Sequence, residues 1–438
     1  MAESTDHLPP PVSAAQPVTV ARQGQHPGGW RRLKALLVAG LCCLLLVLKP
    51  STALALNDGQ QLVVESWRLV NQSYVDPTRF EAIRWKQLRQ KALERPISSS
   101  DDAYGAIEWM LAPLGDPYTR LLRPSDYTAL KASTQGSVSG VGLQLGIRRD
   151  DTAIVVIAPL EGSPASEAGI VSGTELLRVD GLSAESLGLE ATAARLRGPE
   201  GSEVLLELKG PKGPTREAVL KRRRVDLQPV RSRTLEQAGH RLGYLRITQF
   251  AEPVPQQVAR SLEQLQQQGI EGLVLDLRNN SGGLVSAGLA VADQLLDGAP
   301  IVETRNRDGF SDPQQAGRGA LYGGPLVTLV NGGTASASEI LAGALQDDQR
   351  SPLLGGRTFG KGLIQTLISL GGDGSGLAVT VARYVTPSGR DIQNLGIEPD
   401  QPLPEPEPLD PGGDNDRWLQ LAATALVQQL EATQGQAA

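Results

Sequence analysis

From Gln60 to about Ala132 the apolar positions recur every three or four residues. LVVESWRLVNQSYVD and FEAIRWKQLRQKAL each gather them on one helical face. A further helix is expected through Met110, with Asp101 and Asp102 as candidate N-caps. It leaves at LGDPYTRLL, where Gly115 and Pro117 mark a turn.

Between 137 and about 225 the period shortens. VGLQLGI, TAIVVIAPL and TELLRVDG read as short strands, GSPASEAGI as a capped helical turn and ESLGLEATAARLRG as a helix. SEVLLELKG and REAVLKRRRV form a strand pair around a Gly/Pro turn, and the basic run Lys221 to Arg224 is expected to be a solvated strand end. This is a compact α+β module of about 90 residues.

From Arg241 to about Val385 strands and helices alternate. LGYLRI, GLVLDLR and PLVTLVN are strands, and VPQQVARSLEQLQQQG, a stretch from about Leu284 to Leu296, and SEILAGALQ are helices. That alternation predicts a layered α/β domain. PLPEPEPLDPGGDND is a Pro-rich linker, and RWLQLAATALVQQLEA is a terminal helix with Asp416 near its cap.

Composition narrows the chemistry. With 438 residues, two or three domains are expected. A net charge of −6 and 4% aromatics argue against nucleic acid as a partner. Arg31, Arg32 and Lys34 precede an apolar run of 14 residues, Ala35 to Leu48, and then Ala53-Leu54-Ala55. That order is a secretory signal, shorter than the roughly 20 residues of a bilayer span. Cleavage is expected after Ala55, and an uncleaved segment would be the chain's membrane contact. Cys42 and Cys43 lie in this segment, as do His7 and His26 upstream of it, which leaves His240 as the mature chain's histidine. A cysteine nucleophile, a disulfide framework and a Cys/His zinc site are therefore excluded; no metal or cofactor is expected.

The stretch NGGTASASEIL follows a strand and opens a helix. Its start could serve a developing anion through outward-pointing amides. Equally, Thr334, Ser336 or Ser338 could be an N-cap, with Glu339 completing a capping box. A nucleophilic serine needs a base. His240, in a turn, is a poor candidate, and a lysine qualifies if burial favours its neutral form. Lys361 lies between Gly360 and Gly362 ahead of an apolar run. Strand alternation would point Lys361, Leu363 and Gln365 the same way, so that Gln365 could hold the amine; a surface strand end fits Lys361 as well. DLRNNSGGL carries Gly282 and Gly283 into a helix and could aim an amide opposite that of Ala337, or be an ordinary turn.

Together GDPYT, SGVGLQL, GSPASEAGI, DLRNNSGG, TASASEILAGALQD, RTFGKGLIQ and VARYVTPSGRDIQNLGIEPD resemble the carboxyl-terminal processing peptidases, the Ser/Lys tail-specific proteases of family S41. The resemblance covers most of the chain from about 60 to 400. It implies a multidomain α/β protein: a targeting segment at 1–55, a helical N-terminal region at 56–135, an inserted α+β PDZ domain at 136–225, a crotonase/ClpP-like α/β catalytic core at 226–400, and a linker with a C-terminal helix at 401–438. The family's nucleophile precedes its lysine by 25 positions and a glutamine follows by four, which selects Ser336, Lys361 and Gln365 here. The resemblance assigns the amides of Gly282 and Ala337 to the oxyanion hole, with adjacent Gly283 the alternative. Gly140, Val141, Gly142 and Leu143 become the nest for a substrate's terminal carboxylate.

The implied partners are proteins with a free C-terminal tail. ESWRLVNQSYVD resembles the cyanobacterial and chloroplast branch, which implies the photosystem II reaction-centre precursor as substrate and a thylakoid-lumen or periplasmic location. A broader exported-protein tail protease, a non-catalytic PDZ scaffold and a crotonase-like acyl-thioester enzyme are the alternatives. The last explains neither the PDZ-like module nor Lys361.

Overall fold

A computed structural model describes residues 56–437, apart from 148–152, 161, 172, 211, 212, 227, 409 and 410. The targeting segment expected at 1–55, with both cysteines, lies outside the described residues.

The N-terminal pattern folds into α1 (Asp58–Ser73), α2 (Trp85–Leu93), α3 (Ser100–Leu111), strand β1 (Arg120–Leu122) and α4 (Pro124–Thr134). Ser99, not Asp101 or Asp102, is the N-cap of α3. Its side chain accepts the Asp102 amide, and the Asp102 carboxylate bonds back to the Ser99 amide. The acidic pair serves the positive helix end from inside the first turn. Val63, Trp85, Ile107 and Met110 share one core with Leu377 and Val379 from a distant strand. The helical region is therefore packed onto a strand of the C-terminal half rather than forming a core of its own.

The middle module contains β2 (Ser137–Gly140), β3 (Leu143–Ile147), β4 (Ile154–Pro159), β5 (Glu175–Val179), β6 (Leu182–Ser183), α5 (Ala184–Leu196), β7 (Glu203–Lys209), β8 (Thr215–Lys221) and β9 (Arg223–Asp226). One sheet runs β3-β4-β5-β7-β8, while β2 and β9 pair as an antiparallel tie at the module's base. Val156, Ile170, Leu176 and Leu206 are buried in its own core. Arg222 departs from the expected solvated strand end. It is buried, and its guanidinium donates to the carbonyls of Glu203 and Arg195.

The remainder supplies β10 (Val230–Gln237), β11 (His240–Ile247), α6 (Val254–Gln267), β12 (Gly272–Asp276), α7 (Val285–Leu295), β13 (Pro300–Asn306), β14 (Ser311–Gln315), β15 (Leu326–Val330), α8 (Ala337–Asp347), β16 (Leu353–Gly355), β17 (Leu363–Ser369), β18 (Gly376–Val385), β19 (Gln401–Pro402) and α9 (Arg417–Ala437). The central sheet runs β10-β11-β12-β15-β16-β19, parallel from β11 onward. Every residue of β12 and β15 is buried, because both faces are covered. Val258, Leu262, Val291 and Leu341 from α6, α7 and α8 fill one side. Trp418, Ala422 and Leu426 of α9 fill the other.

A second, antiparallel sheet joins β1, β18, β13 and β14, with β17 also on β18. At the end of β12 a buried ion cluster fixes α9. Arg278 bonds the carboxylates of Asp276 and Asp416, and Tyr244 donates to Asp276 at 2.7 Å. Burial alone would raise the Asp276 carboxyl, but Arg246 and Arg278 hold it well below the ordinary carboxylate range.

Candidate active site

Because β12 and β15 are parallel neighbours, the turns after them lie side by side at the carboxyl end of the sheet, where open α/β folds place their sites. The turns are knitted together. The Ala335 amide and the Ser338 hydroxyl both donate to the Asn280 carbonyl, and Thr334 Oγ1 donates to the Leu277 carbonyl. Ser338 is thus a structural residue. Ser336, at the head of α8, is held at φ +57° and ψ −120°, a costly conformation for a residue with a Cβ. A serine on a sharp, strained strand-to-helix turn is the arrangement that presents Oγ above an α/β sheet.

Glu339 holds this strain in place. Its carboxylate is fully buried. Oε2 accepts the amides of Ser336 and Lys361, each at 2.9 Å, while Oε1 accepts Thr358 Oγ1 at 2.5 Å and the Gly360 amide at 2.8 Å. Of the three N-cap candidates it is Ser336 whose amide the glutamate bonds, and the same carboxylate reaches across to the lysine loop. Tyr384 of β18 closes the same gap from the other side, its Oη 3.1 Å from the Ser336 carbonyl and 2.5 Å from that of Lys361. Burial, with Glu339 nearby, raises the Tyr384 hydroxyl far above its ordinary value, so it remains a donor.

Lys361 itself lies in the turn before β17, outside the strand. Its amine does not reach Ser336. Nζ sits over the ring of Tyr118, 4.9 Å from the centroid, and no hydrogen bond joins it to Ser336 Oγ among the described residues. Burial, then the positive charge of Arg120, pushes the Lys361 pKa down, against the opposing pull of Glu339 and Asp116. Gln365 also differs from expectation. A register shift between Ile364 and Gln365 breaks strand alternation, and its Nε2 donates to Thr380 Oγ1 at 3.3 Å rather than engaging the lysine. Thr380 Oγ1 in turn donates to Asp116 at 2.7 Å.

Gly282 lies directly against the serine. A Cβ there would come within 2.8 Å of Ser336 Cβ and 3.1 Å of the Ala337 amide. Its own N–H, however, donates to Asn280 Oδ1 at 3.0 Å, a short Asx-type turn, so this amide is engaged. The Ala337 amide, in the first turn of α8, and the Gly283 amide have no hydrogen-bond acceptor among the described residues.

In the middle module, the four residues expected to form the nest, Gly140 to Leu143, run from the end of β2 into β3. The Val141 amide donates to the Leu196 carbonyl at 3.3 Å, and Leu143 enters the β3–β4 ladder opposite Pro159. Gly140 bridges Arg197, and Gly142, at φ +75°, packs so closely on Ser163 that a Cβ would stand 2.2 Å from that side chain. Beside β3 and α5 opens a cavity of about 690 Å³, with Leu145, Leu189 and Arg197 on one wall and Arg120, Leu122 and Leu130 of the helical region on the other. His240 pairs with Glu271 at 2.8 Å at the start of β11. Among the described residues no three His, Cys, Asp or Glu side chains gather as a metal site.

Comparison with known proteins accords with this layout. Residues 241–403 match the model of peptidase family S41, and 130–209 match the PDZ domain. The chain is 48% identical over 405 residues to a carboxyl-terminal-processing protease of Picosynechococcus sp., covering 90% of this chain and 97% of that protein. It is 42% identical over 377 residues to the chloroplastic C-terminal processing peptidase of Tetradesmus obliquus, with 82% and 80% covered. Among solved structures, a photosystem II D1 C-terminal processing protease superimposes with a TM-score of 0.65 at 41% identity, over 81% of this chain and 96% of that one.

Proposed function

The chain belongs to the carboxyl-terminal-processing proteases of peptidase family S41, serine-type enzymes with a PDZ domain, and on that premise we propose that Ser336 is its nucleophile and Lys361 its general base. The observation that carries the assignment is the double tie between their backbones, through the Glu339 carboxylate and the Tyr384 hydroxyl. These ties hold two residues 25 positions apart in one frame around a strained serine.

In the working arrangement the neutral Lys361 amine takes the Ser336 proton as Oγ bonds to the scissile carbonyl carbon. The oxyanion faces the amide of Ala337 and an amide of the Gly282–Gly283 turn, Gly283 being the unengaged one. Collapse breaks the C–N bond, and the Lys361 ammonium returns its proton to the departing amine. Water then adds to the acyl-enzyme by the same route and frees Ser336. Gln365 serves through Thr380 and Asp116, the chain in which it is already bonded.

The substrate tail lies in the cavity between β3, α5 and the helical region, its carboxylate toward Gly140 to Leu143. Likeness to the photosystem II D1 processing protease supports a photosystem II reaction-centre precursor as substrate and the lumenal side of the thylakoid as the working compartment. The proposed division is 56–135, 136–225, 226–400 and 401–438, the first packed on the third. The test is cleavage of a precursor-tail peptide with a free or an amidated C-terminus, by wild type, Ser336→Ala and Lys361→Ala. Cutting of the free peptide by wild type alone is expected; cutting by either variant refutes the pair.

A further inference from the structure

The segment Gly115–Arg120, a turn running into β1, belongs to the helical region, yet one of its rings lies against the lysine and two of its charges bear on it. The Tyr118 ring lies under Nζ at 4.9 Å, and the charges of Asp116 and Arg120 act on the amine from the same segment. We propose that Tyr118 and Asp116 are positioning residues that form a resting station for the Lys361 ammonium, which the base leaves as the free amine to engage Ser336. This rests on Lys361 being the base.

A π-face attracts an ammonium and has little hold on a neutral amine. A carboxylate discriminates in the same sense. Asp116 is itself fixed: its Oδ2 accepts Thr119 Oγ1 and Thr380 Oγ1, both at 2.7 Å, and its Oδ1 accepts the Tyr118 amide at 2.9 Å. The carboxylate therefore sets the tyrosine's backbone as well as the field. Burial keeps the Tyr118 hydroxyl protonated, so the ring offers a neutral face. Among the described residues, the charged or titratable groups facing Lys361 are Asp116, Tyr118 and Arg120 from this segment, Glu339 from α8, and Tyr384 from β18, whose hydroxyl burial keeps neutral. Asp116, the ring and Glu339 favour the ammonium; Arg120 and burial favour the amine.

The station is tested by the pH profile of kcat/KM on a free-ended tail peptide. Removing the π-face in Tyr118→Leu, or the charge in Asp116→Asn, should move the acid limb to lower pH by about 0.5–1 unit. Tyr118→Phe, which keeps the ring, should hold the limb within about 0.2 unit of wild type. Arg120→Gln should move it the opposite way. A role in folding alone lowers activity without this pattern of signs. An unmoved limb in Tyr118→Leu, or equal shifts in Tyr118→Leu and Tyr118→Phe, overturns the station. If Asp116→Asn does not fold, the tyrosine pair and Arg120→Gln decide. Lys361→Ala separates the two readings: if it is inactive and the limbs do not move, only the station fails; if it is active, the base assignment fails with it.

Discussion

Glu339 follows Ser336 by one turn of helix and bonds back to its amide at 2.9 Å, with the oxygen that also takes the amide of Lys361. One buried carboxylate thus ties together the main chains of the proposed nucleophile and base. On the proposed assignment it is a positioning residue, since its carboxylate bonds the two main chains rather than the reacting oxygen or the amine.

Glu339→Gln keeps the volume but gives one side-chain position a donor where two amides need an acceptor. We expect kcat to fall roughly 100-fold with KM little changed, because the loss is of alignment rather than binding. Steady-state cleavage of a tail peptide measures it. A KM effect with kcat intact would place Glu339 in substrate binding instead.

Burial and Arg120 lower the Lys361 pKa, so free amine is present below the ordinary lysine value of 10.5. Activity should therefore rise with pH as one proton leaves, with its midpoint below 10.5. Lys361→Arg should be inactive across the range, since a guanidinium stays charged. A profile flat from pH ~6 to 10 would remove the lysine from proton transfer.

Gly283 has φ +141°, and a Cβ there would stand 2.1 Å from the Phe250 carbonyl oxygen. Gly283→Ala must displace the Gly282–Gly283 turn from Ser336. Labelling of Ser336 by a serine-reactive phosphonate should drop at least tenfold while the circular dichroism spectrum is kept. Undiminished labelling would show that the turn does not shape the site.

Asp416 joins α9 to Arg278 at the foot of that turn. Asp416→Ala leaves a buried guanidinium half-paired and should cost about 3 kcal/mol, read as a lower unfolding midpoint in urea. The cluster also gives a pH sign. The Asp276 pKa is lowered on folding, so its stabilisation is complete above the unfolded value near ~3.9 and is lost as pH falls through the folded one. A variant with the wild-type midpoint would count against the cluster.

The helices, the parallel core and the serine at a helix start were readable because each rests on a local period or cap. Asp101 and Asp102 misled only in position, by standing next to the true cap at Ser99. The rest depended on contacts that no local pattern encodes. Tyr384 looks like a strand residue until β18 lies beside α8, and Asp116 meets Thr380 across 264 positions. Gln365 was expected on the lysine's face, but the register shift after Ile364 breaks the alternation on which that rested. The amide of Gly282 could not be known to be engaged without the geometry of Asn280. In GDPYT the residues were noticed for their resemblance, while their proximity to Lys361 is a matter of tertiary structure.

The paired ties at Glu339 and Tyr384 also say something about time. With the main chain pinned at both Ser336 and Lys361, passage of the amine between the Tyr118 ring and the serine needs only rotations about the lysine side chain. Such rotations run on the order of nanoseconds in exposed side chains, which leaves a wide margin for a half-buried lysine against turnover times of about a millisecond to a second. On the proposed assignment, engagement of the base is therefore a rapid pre-equilibrium. It enters the rate as a population and leaves no lag before the first bond is cut.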